Sequence, residues 1–135
     1  MNALVNHQFK LARRPVGMVQ RSDFEYSHVP VVTPGDGEVL VKILYISLDP
    51  AMRGWMKEGK SYVPPVGIGE VMRAGAVGRV ITSNESGIAV GDHVVGILGV
   101  QAEAASHAVG PLMHDRDPSA AAAAAAALVR MSADP

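Results

Sequence analysis

The residues with the best claim to chemistry lie between Ser47 and Val80. Here Ser47-Leu48-Asp49-Pro50-Ala51-Met52-Arg53-Gly54-Trp55-Met56 is followed by a Pro/Gly-rich turn and by Gly67-Ile68-Gly69-Glu70-Val71-Met72-Arg73-Ala74-Gly75-Ala76-Val77-Gly78-Arg79-Val80. Three kinds of site can be tested on residue types alone. A dinucleotide fingerprint needs a third glycine three places after Gly69, after a strand, so that backbone N–H groups can cradle a pyrophosphate. Met72 stands at that place, and Pro64-Pro65 precedes the pair where a strand is required, so Gly67-x-Gly69 reads as a backbone turn. A zinc centre needs thiolates or closely paired imidazoles. The chain has no cysteine, and His7, His28, His93, His107 and His114 have no short ligand spacing, so each reads as a surface or half-buried histidine. No serine sits in a Gly-x-Ser-x-Gly nucleophile elbow.

The elements that must position these residues read as short strands. Gln8–Ala12 alternates and ends at Arg13-Arg14-Pro15, with the two arginines on a solvated turn. Asp23–Val29 places Phe24, Tyr26 and His28 on one face, and Pro30 and Pro34 suit an edge strand. After the Pro34-Gly35-Asp36-Gly37 turn, Glu38–Ser47 is apolar on both faces, as an interior strand requires. Asp49 fits a helix N-cap with Pro50 at the first helical position, and the helix runs to about Met56. Val71–Val80 and Val90–Leu98 read as further strands, with Gly75 and Gly78 as bulges or points of close approach. Strands of this length with glycine-marked bends predict a small, mainly β, curled barrel. From Ala102 to His114 there is little periodicity. Ser119 can cap a helix through the eight alanines Ala120 to Ala127 and on to about Met131, marginal in water if uncovered.

At 135 residues the chain has room for one domain. Its net charge of −1 supplies no footprint for nucleic acid or an anionic membrane. The lack of cysteine excludes disulfides and a thiol nucleophile. No signal-like N-terminus and no apolar run of about 18 residues stands out, which predicts a soluble cytoplasmic protein.

The Ser47–Met56 run, with Ser61-Tyr62, Pro65–Met72, Val90-Gly91-Asp92-His93-Val94 and the upstream Pro34–Val41, resembles the zinc-independent medium-chain dehydrogenase/reductases. Within them it most resembles the alkenal, prostaglandin and curcumin reductase branch, over roughly residues 6 to 101. That resemblance implies a GroES-like, partly open β-barrel with short helices, over residues 1–101. In the family this barrel is the N-terminal, substrate-side part of the catalytic domain, followed by a Rossmann domain that binds NADPH. It also implies hydride transfer to the β-carbon of an α,β-unsaturated ketone or aldehyde, then protonation of the enolate. Zinc-binding relatives carry Cys and His where Ser47 and Glu70 lie near the matching positions, so no metal is expected. Many relatives have tyrosine where Ala51 stands. Tyr62, on a loop, is the substitute candidate for a hydroxyl donor, and it reads equally as an amphipathic loop residue. Ala51, Arg53 and Tyr62 are the candidate substrate-side residues, although Arg53 reads first as a clamp on Asp49 or Glu70.

No Gly-rich βαβ unit follows, and residues 102–135 do not match the family pattern. A truncation or a reading-frame change just after Gln101 accounts for both. The expectation is an N-terminal part of an NADPH-dependent double-bond reductase that neither holds NADPH tightly nor turns over alone. With its domain-facing surface bare, it is expected to self-associate. The alternative is a stand-alone barrel that acts as a non-catalytic binding or interaction module.

Overall fold

A computed structural model describes residues 4–61, 63–107 and 113–115, with side chains described for 4–61 and 63–104. Strands β1 (Val5–Leu11) and β2 (Phe24–Pro30) form an antiparallel two-stranded sheet. A five-stranded sheet is built from β3 (Glu38–Ile46), β4 (Gly75–Ser83), β5 (His93–Ile97), β6 (Glu103–His107) and β7 (Met113–Asp115), in the order β6-β3-β4-β5-β7. A short helix, α1 (Ala51–Trp55), lies between β3 and β4. The mainly β, partly open barrel expected from the sequence is the observed architecture.

Two apolar clusters fill it. One lies on the large sheet, where Val39, Val41, Val80 and Val94 are fully buried. The other joins Leu11 to Met52, Met56, Val66 and Met72, and Ile46 packs against both. The hairpin is tied to the rest through backbone bonds, from Phe9 N–H to Val100 O (3.0 Å), Met72 N–H to Phe9 O (2.9 Å) and Ala102 N–H to His7 O (2.9 Å).

β3 lies between β4 and β6, as an interior strand should. Its burial is nonetheless one-ended: Val39 to Val41 are buried, while Leu44 and Tyr45 are exposed. The register shift between Ile43 and Tyr45 explains the change, because a bulge turns the following side chains away from the core. Gly78 sits against this irregularity, and a Cβ there would fall 2.3 Å from Val41 Cγ1 and 2.6 Å from Lys42 O. Close approach is therefore what Gly78 provides.

Several boundaries differ from the sequence reading: β1, expected from Gln8, already begins at Val5. The strand expected from Val71 begins at Gly75, because Val71 makes only an isolated bridge to Lys10 and Ala74 O is taken by Leu98 and Gly99 N–H. The strand expected from Val90 begins at His93, because Gly91 adopts φ +95° and Asp92 closes a turn with Ala89. The stretch 102–114, which lacks periodicity, supplies β6 and β7, paired to β3 and β5 through the backbone. The helix expected from Ser119 lies outside the described residues.

Candidate substrate-side cleft

Helix α1 starts where its sequence dictates. The Asp49 carboxylate accepts from Ala51 N–H at 2.7 Å, and Pro50 already has helical dihedrals (φ −54°, ψ −30°). One turn of helix has little stability of its own, and three arginines hold this one. Arg14 Nη1 donates to Met56 O (3.1 Å) and to Val66 O. Arg53 Nη2 donates to Pro15 O and Gly17 O, both at 3.1 Å. The Arg73 guanidinium lies 5.4 Å from the Trp55 ring centroid, within cation–π range.

Two expectations are corrected here. Arg53 pairs with neither Asp49 nor Glu70 among the described residues. The Asp49 carboxylate is occupied by the helix start, and Glu70 Oε2 is 2.9 Å from Gly67 N. Nor are Arg13 and Arg14 simply a solvated turn. Arg13 Nε lies 2.7 Å from Oδ1 of the buried Asp23, and Arg14 anchors the far end of α1. The Asp23 carboxyl is held below its ordinary value by the Gln20 N–H first and by Arg13 second.

Beside α1 opens a cleft of about 620 Å³. Met52, Met56 and Met72, all buried, line it, together with the more exposed Phe9, Phe24 and Leu48. Asp49 and Arg53 are the charged residues among its described lining. Thioethers adapt to irregular apolar shapes, and such a lining suits a flat or flexible apolar molecule. Arg53 Nη1 is buried without a hydrogen-bond partner among the described residues. It is a donor without a partner, and it meets an oxygen in the cleft only if the guanidinium turns. No described lining residue carries a hydroxyl or an imidazole.

Of the residues singled out in the sequence, Arg53 lines the cleft, Ala51 is exposed on α1 outside that lining, and Tyr62 lies outside the described residues. The methionines and Phe9 were not singled out. Their signal was spacing: Met52 and Met56 are four apart and so share a helix face. Gly67-x-Gly69 is a turn, as read. Gly67 N–H is taken by Glu70, Glu70 N–H returns to Gly67 O (3.1 Å), and Gly69 N–H goes to Leu11 O (2.7 Å). A carboxylate thus occupies the place a phosphate would need, and the described residues do not fit a dinucleotide pyrophosphate there. Ser47 is buried, and no group of three His, Asp or Glu among the described residues could hold a metal ion. No helix among them is long and apolar enough to cross a membrane.

Residues 7–113 match the family model described as the N-terminal domain of oxidoreductase. The NADPH-dependent curcumin reductase of Escherichia coli is 46% identical over 96 residues, which cover 71% of this chain and 28% of that protein. The NADP(+)-dependent 2-alkenal reductase of Nicotiana tabacum is 35% identical over 99 residues, covering 70% of this chain and 29% of that protein. The crystal structure of CurA from Vibrio vulnificus has a TM-score of 0.82 at 40% identity, covering 88% of this chain and 35% of that one. CurA in complex with NADPH gives 0.80 at 41% identity, covering 87% and 35%. The chain thus spans under a third of the length of these curated relatives. By the family match, the shared fold and these identities, the chain belongs to the zinc-independent medium-chain dehydrogenase/reductases, in the branch of the curcumin and alkenal reductases, and corresponds to their N-terminal part.

Proposed function

We propose that this chain is the substrate-side part of an NADPH-dependent reductase of carbon–carbon double bonds in α,β-unsaturated ketones and aldehydes. The observation that carries the reading is the methionine-lined cleft beside α1, with Arg53 at its edge. Such a lining removes the apolar body of an enone from water. In this reading Arg53 turns its unpartnered Nη1, buried as it stands, toward the carbonyl oxygen, where negative charge grows as the double bond is reduced. The proton for the α-carbon comes from water or from Tyr62, since the described lining has no group that gives up a proton near neutral pH: Asp49 is already ionised and Arg53 keeps its protons.

In this reading the cofactor is not held at the Gly67–Glu70 turn. That turn is closed on itself, which supports assigning tight NADPH binding to other residues. The division of the chain at residues 101 and 102 is part of the same proposal, and β6 carries the sheet a few residues past it.

The experiment follows Trp55 fluorescence of the 135-residue chain during titration with a long-chain 2-alkenal, and separately follows NADPH absorbance. Saturable alkenal binding is expected, weakened about tenfold or more by Leu48→Arg at the exposed rim, with no NADPH oxidation. An alkenal that does not bind would favour the non-catalytic interaction module. Sustained turnover by the chain would overturn the assignment of the cofactor site.

A further inference from the structure

The β1–β2 hairpin has a graded face. In register, Leu11 opposes Phe24, Phe9 opposes Tyr26 and His7 opposes His28. Leu11 is fully buried, Phe9 and Phe24 reach the cleft, and the His7/His28 end is exposed. Hydrophobic packing explains the first two pairs. It does not explain two imidazoles placed directly across from each other at the open end.

From this pairing we infer that His7 and His28 form a two-imidazole site for a divalent transition-metal ion, copper(II) foremost. Their ring centroids are 6.0 Å apart and tilted by 42°. With metal–nitrogen bonds of about 2.0–2.1 Å, two rings on one ion have centroids about 4.5–6 Å apart, so a small rotamer change suffices. A second observation concerns the outer shell. His7 Nδ1 is 2.5 Å from Tyr26 Oη, and the Tyr26 ring stacks on His7 at 5.8 Å and 16°. An Nδ1–H donated to an oxygen leaves the Nε2 lone pair outward, which is the arrangement that orients metal-binding histidines. His28 has no hydrogen-bond partner among the described residues, so its ring is free to turn. The same face carries no carboxylate: Glu25 and Lys10 pair on the opposite one. Two neutral nitrogens with water in the remaining positions favour copper over zinc by the usual order of divalent affinities, and disfavour magnesium and calcium. The site is separate from Ser47 and Glu70. It would staple β1 to β2, one wall of the cleft.

The test titrates copper(II) into the full chain, prepared without a polyhistidine tag, by calorimetry in a weakly coordinating buffer. Electron paramagnetic resonance then counts nitrogen ligands. One saturable equivalent with two imidazole nitrogens is expected, along with a copper-dependent rise in melting temperature. His7→Gln and His28→Gln, both at exposed positions, should each weaken binding about tenfold or more, and Tyr26→Phe by up to about tenfold. His93→Gln is the control and should change nothing. Absence of saturable binding, or copper held equally by both histidine variants (as at the N-terminal amine), would overturn the inference. So would an equal loss in the His93 variant.

Discussion

Asn6 Nδ2 donates to Gln101 Oε1 across 2.9 Å and joins residues 95 positions apart. The same buried side chain accepts at Oδ1 from Ala102 N–H (3.1 Å) and Glu103 N–H (2.9 Å). Asn6 therefore satisfies the backbone at the point where the chain enters β6. Asn6→Ala removes the side-chain acceptor of Glu103 N–H, while Ala102 N–H keeps His7 O and Gln101 Oε1 keeps Gln8 Nε2, and it should lower stability by about 1–2 kcal/mol. Urea unfolding would measure the loss. Hydrogen exchange should quicken first at Glu103.

Asp23 gives the fold a dependence on acid. Its carboxyl is held below the ordinary value of 3.8, chiefly by the Gln20 N–H and then by Arg13, with desolvation opposing both. A depressed native value means that the contribution is complete above the unfolded value and is lost as pH falls through the native one. The stability gap between wild type and Asp23→Asn should be constant above about pH 5 and shrink below 3.8. Melting curves on both proteins from pH 7 to pH 2.5 would check this. A gap that persists at the lowest pH would mean that the charge on Asp23 is not what stabilises the turn.

Two glycines should respond in opposite senses. Gly78→Ala forces a methyl into Val41 and the Lys42 carbonyl, and a backbone oxygen cannot step aside. It should cost about 1–3 kcal/mol or more. Gly54→Ala meets open space within α1 and should stabilise by about 0.5–1 kcal/mol. Denaturant midpoints of the pair provide the comparison.

The apolar rim predicts solution behaviour. Leu48 is 77% exposed and Ile97 66%, with Phe9 and Tyr45 also open to water. Apolar surface of this kind favours association. Sedimentation velocity should show a weight-average mass that rises with concentration, and Leu48→Arg should lower it. A constant monomer mass across the range would contradict this.

Much of the framework was legible because it depends on alternation and turn chemistry, both local. Phe24, Tyr26 and His28 share a face as their spacing requires, and Asp49-Pro50 starts the helix. What escaped depends on distant partners. The arginines around α1 bind backbone carbonyls 36 to 52 positions away, and nothing in Arg14 or Arg53 announces which. β6 reads Glu-Ala-Ala-Ser-His, without the bulky β-branched residues that mark a strand, and pairs with β3 through its backbone. His7 and His28 are remote in sequence, and only strand register makes them neighbours.

The ties between β1 and residues 100 to 102 also fix an order of events during synthesis. β1 leaves the ribosome before the other strands described, yet Asn6, His7 and Phe9 cannot complete their bonds until Val100, Gln101 and Ala102 have emerged. At about 5–20 residues per second, that leaves the strand waiting on the order of 5–20 seconds for its last partners, with β2 alone until Gly69 to Met72 emerge. An isolated two-stranded hairpin is marginal in water. During that interval Phe9 and Tyr26 are open to chaperones and to neighbouring nascent chains. The hairpin is thus made well before the residues that finally secure it.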